Sequence, residues 1–365
     1  MLVYLDLNHW IGLAKARLAR AKCPAAYREM YPLLQRLTHG GVVLPLSEVH
    51  YAEMRDRIRS FNQRSELALT MAELSQYKTL PPREHLLAVQ LRRAVARHFG
   101  VPDPEIEELP LVGHGVGFAQ QARPLRGHLT VGEQTVSDPA HKLALTLEAI
   151  EARVGGGWKY SRRARFTEQE WRSALTALFE ESAEFVILRG PQPSEMDSVR
   201  ALGYQPEQLA QIVVDAAARE QRMRTQLMAK PRRDRRPEDV AACAALALDS
   251  GPQLIGNALA TLGLSYTVWD NMTKDDMTVV AETVPILDVE SALRRGRLKN
   301  GDYSIVVNDI YDMAALGVAV SCCNVVATDK SARHMLAEAG ISGRYNCELV
   351  SAPSDLLTIV RSLDS

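Results

Sequence analysis

Two short apolar runs constrain this chain more than anything else in it. LVYL at residues 2–5 and NVVAT at 324–328 lie near opposite ends of 365 residues, and each is followed at once by an aspartate, Asp6 and Asp329. A short, wholly apolar run reads as a strand buried on both faces, and such strands belong to parallel sheets covered by helices. The theme occurs a third time in GGVVLPLSEVHYAEM (40–54), where a glycine turn leads into an apolar run, Ser47 is placed to cap a helix, and that helix carries Glu53. After Asp329 the pattern continues with a helical KSARHMLAEAG, a short strand near CELV (347–350) and a last helix over SDLLTIVRSL. Strand alternating with helix at both ends predicts a parallel α/β sheet.

Between these ends the strand signals nearly vanish. Trp171, Leu175, Leu178, Phe179, Ser182, Phe185 and Val186 recur at helical spacing, as do Leu209, Ile212, Val213, Ala216, Met223 and Leu227, which predicts amphipathic helices. The stretch 101–138, rich in Gly, Pro and His, reads as an irregular connection. A chain of this length exceeds the usual single core. The expected organisation is an α/β core assembled from residues 1–64 plus 281–365, with a large, mostly α-helical insertion over 65–280.

The acids fall where such a sheet does its chemistry. In an open parallel sheet the functional crevice lies outside the carboxyl ends of the strands. Asp6 and Asp329 both sit just past predicted strands, and Glu53 lies about a turn and a half into the helix after the second. Asp309 and Asp312 are three apart, hence on one helix face near its N-terminus, where the dipole favours negative charge. Taken singly, each reads as an N-cap or a solvated helix residue. Gathered at one sheet edge, they would repel and raise one another's pKa values unless a cation sat among them. A hard divalent ion suits an all-oxygen site, and Mg²⁺ typically takes one or two carboxylates, waters and substrate phosphates.

Composition excludes some classes. The formal net charge is -1, so charge on the whole chain argues neither for nor against nucleic acid. Five cysteines with no CxxC spacing do not make a secreted disulfide framework or a zinc ribbon. The opening MLVYLDL lacks the basic and long apolar regions of a signal peptide, and no run approaches a membrane span, so a reducing cytoplasm with no membrane partner is the expectation. Two local clusters stand out. GGGWKYSRRARF (155–166) interleaves aromatic rings with Lys159, Arg162, Arg163 and Arg165, a pattern that suits single-stranded nucleic acid. Residues 219–236 carry eight basic and two acidic residues, a local net of +6, and could serve as a substrate track. His9 and His50, beside the acid motifs, read as packed histidines bonded to backbone, and the vicinal Cys322 and Cys323 as small buried thiols.

Three segments together resemble a PIN-domain nuclease. VYLDLNHWIGLA resembles that family's opening strand, with Asp6 and Asn8 matching and Leu7 standing where Thr or Ser is usual. LPLSEVHYAEM resembles its second strand and the helix bearing its glutamate, so Glu53 inherits that role better than Glu48. DMAALGVAVSCCNVVATD resembles its helix, strand and closing aspartate; Asp312 matches the third acid and Asp329 the fourth, while Thr328 and Asp329 are adjacent where one residue usually separates them. That shift leaves Asp309 and Asp312 both open as the main third ligand. The matched segments cover roughly 1–60 and 300–365.

The resemblance implies one or two Mg²⁺ or Mn²⁺ ions held by Asp6, Glu53, Asp309 or Asp312, and Asp329. It implies hydrolysis of phosphodiesters, RNA above DNA, by an activated water, with 5′-phosphate and 3′-hydroxyl ends. PIN domains often act as toxins or antiphage effectors held in check by a partner, so it also implies an inhibitory or regulatory protein, and it leaves a homo-oligomer open. The alternative is a catalytically inactive PIN-like scaffold that binds RNA or protein through its helical insertion.

Overall fold

The computed structural model describes residues 1–103, 110–121, 129–131, 134–136, 183–201, 204, 206–230, 236–247, 251–299 and 302–364. It is mostly helical around a small parallel sheet, so the α/β class holds with far more helix than strand. The two ends of the chain meet in that sheet. Strand β1 (Val3–Leu5) has the register Val3 with Val325, Tyr4 with Val326 and Leu5 with Ala327. Beyond a short β2 (Lys78–Thr79), the pairing partner is β3 (Val325–Ala327), and β3 in turn pairs in parallel with β4 (Glu348–Val350). The order is β1, β3, β4.

On the other side of β1 the expected strand over VVLPL is reduced to single parallel bridges, Leu2 with Val43 and Leu46 with Thr79 of β2. Its hydrogen bonds are those of a sheet: Val3 N–H donates to Val43 at 3.0 Å, and Leu46 N–H to Lys78 at 2.8 Å. Pro45 stands between the two bridges and has no N–H to give, which interrupts the ladder.

Helices cover both faces. After β1 comes α1 (Leu7–Arg17), begun by Asp6, whose side chain accepts from the His9 N–H, and ended by Lys15 and Arg17, charges that suit a helix C-terminus. Then follow α2 (Ala25–His39), α3 (Glu48–Arg57), α4 (Phe61–Ser75) and α5 (Arg83–Phe99). The helical pattern read over 209–227 is α6 (Pro206–Met228), and Pro237 at the first position opens α7 (Pro237–Ala245). Toward the end lie α8 (Pro285–Lys299), α9 (Val307–Cys322), α10 (Lys330–Glu338) and α11 (Pro353–Leu363). Most of the helix read over 171–186 lies outside the described residues.

The period of two along the strands divides the core. Tyr4, Val326 and Leu349 face one cluster with Leu87 and Leu91 of α5, Leu287 and Leu293 of α8, and Leu316 and Val320 of α9. Val3, Leu5, Val325, Ala327 and Val350 face the other, with Trp10, Leu13, Met30, Leu34, Met71 and Leu356. Each fully buried Leu or Trp stabilises by roughly 1.5–3 kcal/mol. The first cluster also takes Ala242, Leu259 and Trp269, so helices from the middle of the chain share a core with the C-terminal strands. No helix among the described residues is long and apolar enough to cross a membrane.

Candidate functional site

Because β1 and β3 are parallel and in register, their carboxyl ends lie side by side, and each hands the chain to an aspartate. Asp6 donates its N–H to the Ala327 carbonyl at 2.9 Å, which locks the end of β1 to the end of β3. Its carboxylate accepts from the His9 N–H at 3.1 Å. Asp329 does the same work one strand over, accepting from Ser331 N–H at 2.6 Å and Ala332 N–H at 3.0 Å to start α10. Burial pushes the Asp6 carboxyl above its ordinary range; His9 pulls it back and the Asp329 carboxylate pushes it further up.

Glu53 and Asp312 complete the group. Glu53 is buried on α3 and ion-paired to Arg57 one turn on. Burial raises its pKa, the Arg57 guanidinium lowers it, and Asp6 and Asp56 raise it. Asp312, on α9, is pushed up to about 7, by burial first and then by Glu53, against Arg297, with smaller pushes from Asp329 and Asp309. The four acids therefore interact around a closed loop: Asp6 with Asp329, Asp6 with Glu53, Glu53 with Asp312, and Asp312 with Asp329. A clamp sets the third of these pairs. The Tyr311 hydroxyl, next to Asp312, donates to Asp56, one turn from Glu53, at 2.9 Å, tying α9 to α3.

Asp309 is used differently. Its carboxylate accepts from the Tyr303 hydroxyl at 2.6 Å and the Val306 N–H at 2.8 Å, and Arg297 stands 3.1 Å away. With these donors it is a saturated, buried cap for α9, and Asp312 is the member of the pair that faces the other acids. Arg297 also reaches Asp312 at 3.8 Å.

The histidines divide as well. His50 is fully buried: its Nδ1 accepts from Ser47 N–H at 2.9 Å and its Nε2 donates to the Leu5 carbonyl at 2.9 Å, which fastens α3 to β1. Burial lowers its pKa to about 4, so it is a neutral structural residue. His9 stands against the site itself. Its Nδ1 is 2.9 Å from the Tyr27 hydroxyl, and burial lowers its pKa against the opposing pull of Asp6 and of the Thr328 backbone. Thr328 is buried and donates its N–H to Val350 at 2.9 Å, whereas Asn8 is exposed in the first turn of α1.

The predicted acids Asp6, Glu53, Asp312 and Asp329 are near enough to act on one another electrostatically, and Asp309 is engaged by partners of its own. Lys159, Arg162, Arg163 and Arg165, expected to bind substrate, lie outside the described residues. Arg57, Arg297, Asp56 and Tyr311 were not anticipated, although the four-residue spacing of Glu53 and Arg57 is a legible pair. As they stand, no three His, Cys, Asp or Glu side chains among the described residues are arranged to hold a metal ion. The donor set, four carboxylates of which Asp6, Glu53 and Asp312 have raised pKa values, has the hard-oxygen chemistry that suits Mg²⁺ or Mn²⁺, with Arg57 and Arg297 as resident counter-charges at Glu53 and Asp312.

No protein-family model matches this sequence, and no curated protein or solved structure matches it significantly.

Proposed function

We propose that the protein is a metal-dependent, PIN-like endoribonuclease. The observation that carries the reading is the loop of four interacting carboxylates drawn from both ends of the chain, Asp6 and Asp329 at the carboxyl ends of adjacent parallel strands and Glu53 and Asp312 on the helices α3 and α9 beside them. The repulsion within such a cluster opposes folding, and helix capping accounts for two of its members only, Asp6 and Asp329. Asp6, Glu53, Asp312 and Asp329 would hold the ion. Bound there, Mg²⁺ or Mn²⁺ supplies Lewis-acid activation of water and neutralises charge developing at a phosphodiester.

The chain's own residues do the positioning. Asp6 and Asp329 are fixed by the helices they cap, Glu53 and Asp312 by the Tyr311 to Asp56 bond between their helices. The Asp312 carboxyl, with a pKa of about 7, shares a proton with solvent at neutral pH and gives it up when a cation arrives. RNA as substrate, 5′-phosphate products and a toxin or antiphage role under the control of a protein partner follow from the resemblance.

Incubating the protein and its Asp6→Asn variant with labelled RNA, single-stranded DNA and duplex DNA tests this directly. Cleavage of RNA that needs Mg²⁺ or Mn²⁺, stops in EDTA and is absent from the variant is the expected result. Equal cleavage by both proteins overturns it. The second reading, a silent scaffold binding RNA or protein, draws on the arginines already paired with Glu53 and Asp312. Calorimetric titration with Mn²⁺ separates the two, because a scaffold need bind no ion.

A further inference from the structure

Three of the four acids have evident anchors. Asp6 and Asp329 are fixed by N–H groups of the helices they start, and Glu53 by its ion pair with Arg57. Asp312 lies inside α9 and caps no helix, and its ion-pair partner Arg297 stands 3.8 Å away with its Nε turned to Asp309 at 3.1 Å. The hydrogen bond that reaches the Asp312 carboxylate, among the described residues, is donated by Asn308 Nδ2 to Oδ2 at 3.2 Å.

Asn308 lies one turn before Asp312 on α9, and helix spacing alone lets such a pair meet. The other end of the same amide sets this pair apart. Asn308 Oδ1 is buried and accepts no hydrogen bond. A buried acceptor left unsatisfied opposes folding, and an apolar side chain of similar shape would not carry that cost. The amide is therefore unfavourable to the fold at its oxygen, and the polar contact it makes at its nitrogen is with Asp312.

That contact has the chemistry an ion site needs. A neutral amide nitrogen only donates, so it holds a carboxylate oxygen without adding a positive charge to repel a cation. Asn308 and Arg297 both approach Oδ2, which leaves Oδ1 without a donor among the described residues, on a side chain 28% exposed. Hydrogen bonds to metal-binding carboxylates set their orientation, and losing one typically weakens metal affinity by roughly 10- to 100-fold.

We propose that Asn308 is a positioning residue of the acid site: its amide holds Asp312 by Oδ2 and so presents Oδ1 to the divalent ion shared with Asp6, Glu53 and Asp329. The role rests on the metal site of the nuclease reading.

Calorimetric titration of the whole chain with Mn²⁺, beside urea unfolding in EDTA, tests it. Asn308→Leu keeps the branched shape and removes the amide; Asn308→Ala removes the amide without requiring leucine to fit. Both are expected to bind Mn²⁺ about tenfold or more weakly than the wild type. The urea midpoint of Asn308→Leu is expected to stay or rise, because the unpartnered oxygen is gone. Asn308→Gln, whose amide also reaches the residue one turn on, is expected to regain most of the lost affinity. Wild-type Mn²⁺ affinity in Asn308→Leu and Asn308→Ala makes the bond a helix contact only and overturns the role while the nuclease reading stands. Equal weakening in all three variants assigns the effect to packing and overturns it as well. A wild type that binds no Mn²⁺ removes the ion site itself, and the positioning role with it.

Discussion

The backbone N–H of Asp6 donates to the carbonyl of Ala327 at 2.9 Å, and that bond limits how far Asp6 can stand from Asp329, two residues beyond Ala327. Both aspartates also start a helix, so removing either confounds charge with capping. Asparagine separates the two effects. Asp6→Asn and Asp329→Asn keep an acceptor at the cap and are expected to fold within about 0.5 kcal/mol of the wild type, whereas the alanine variants lose about 1 kcal/mol. All four should lose Mn²⁺ binding and at least about a hundredfold in cleavage. Urea unfolding beside calorimetry checks both halves, and an asparagine variant that still binds Mn²⁺ removes that residue from the site.

The acid loop predicts an uncommon pH dependence for the metal-free protein. Asp312 titrates near 7 when folded and near 4 when unfolded, so between those values the folded state binds the extra proton. Stability contributed by this group is therefore greatest below about pH 4 and is lost as pH rises to about 7. Asp6 and Glu53, also raised, act in the same direction. His50 acts oppositely: its lowered pKa makes its contribution full above about 6.5 and lost as pH falls toward 4. The difference between wild type and Asp312→Asn isolates the acid. That variant should gain stability relative to wild type as pH rises through this window, measured by denaturation at several pH values. A flat difference means the carboxyl is not raised.

How much of this was legible in the sequence depends on where each signal resides. LVYL and NVVAT announce buried strands because every side chain in them is apolar, and Asp6 and Asp329 announce themselves by position. VVLPL is apolar enough to predict a full strand, but Pro45 has no N–H to give and only isolated bridges form on either side of it. Lys78 and Thr79 carry no strand signal; their pairing with Leu46 is imposed by the tertiary fold. Asp309 and Asp312 have equal standing in sequence and differ only through partners, Tyr303 and Arg297, supplied from outside their helix turn. Arg297 lies in the charged run RRGRLK, where nothing local says which arginine turns inward.

Arg57 occupies Glu53 in the resting protein; its own side chain is 39% exposed and that of Glu53 only 7%, so solvent screens the cationic half of the pair and leaves room for a divalent ion to displace it. Arg57→Gln should leave the fold intact and tighten Mn²⁺ binding by a few-fold, the size expected for releasing a half-screened ion pair. Calorimetry at pH 7 reads the change. Weaker binding in the variant would mean that Arg57 supports the site and does not compete for it.

Gly12 packs where no side chain fits. A Cβ built there meets the Tyr27 ring at 2.3 to 2.7 Å, and Tyr27 is the residue whose hydroxyl holds His9. Gly12→Ala is expected to destabilise by about 1–3 kcal/mol through overpacking between α1 and α2. It should also disturb the His9 ring, visible by NMR as a shift of its imidazole signals. Unchanged stability would show that Tyr27 can swing away freely.

Asp309 and Asp312 give the sharpest separation of structure from chemistry, being one turn apart on α9 with different work. Asp309 balances a buried guanidinium and caps the helix, so Asp309→Asn takes from Arg297 the nearer of its two carboxylates, leaving only Asp312 at 3.8 Å, and is expected to cost about 3 kcal/mol of stability. Asp312, with 28% of its side chain exposed and its charge opposed by Glu53, is expected to cost nothing or to stabilise when changed to Asn. Mn²⁺ affinity should show the reverse order, retained in folded Asp309→Asn and lost in Asp312→Asn. Melting curves with and without Mn²⁺ record both quantities, since an ion that binds only the folded state raises the melting temperature. A Mn²⁺-dependent rise that persists in Asp312→Asn and disappears in Asp309→Asn would transfer the ligand role to Asp309 and leave Arg297 competing directly with the ion.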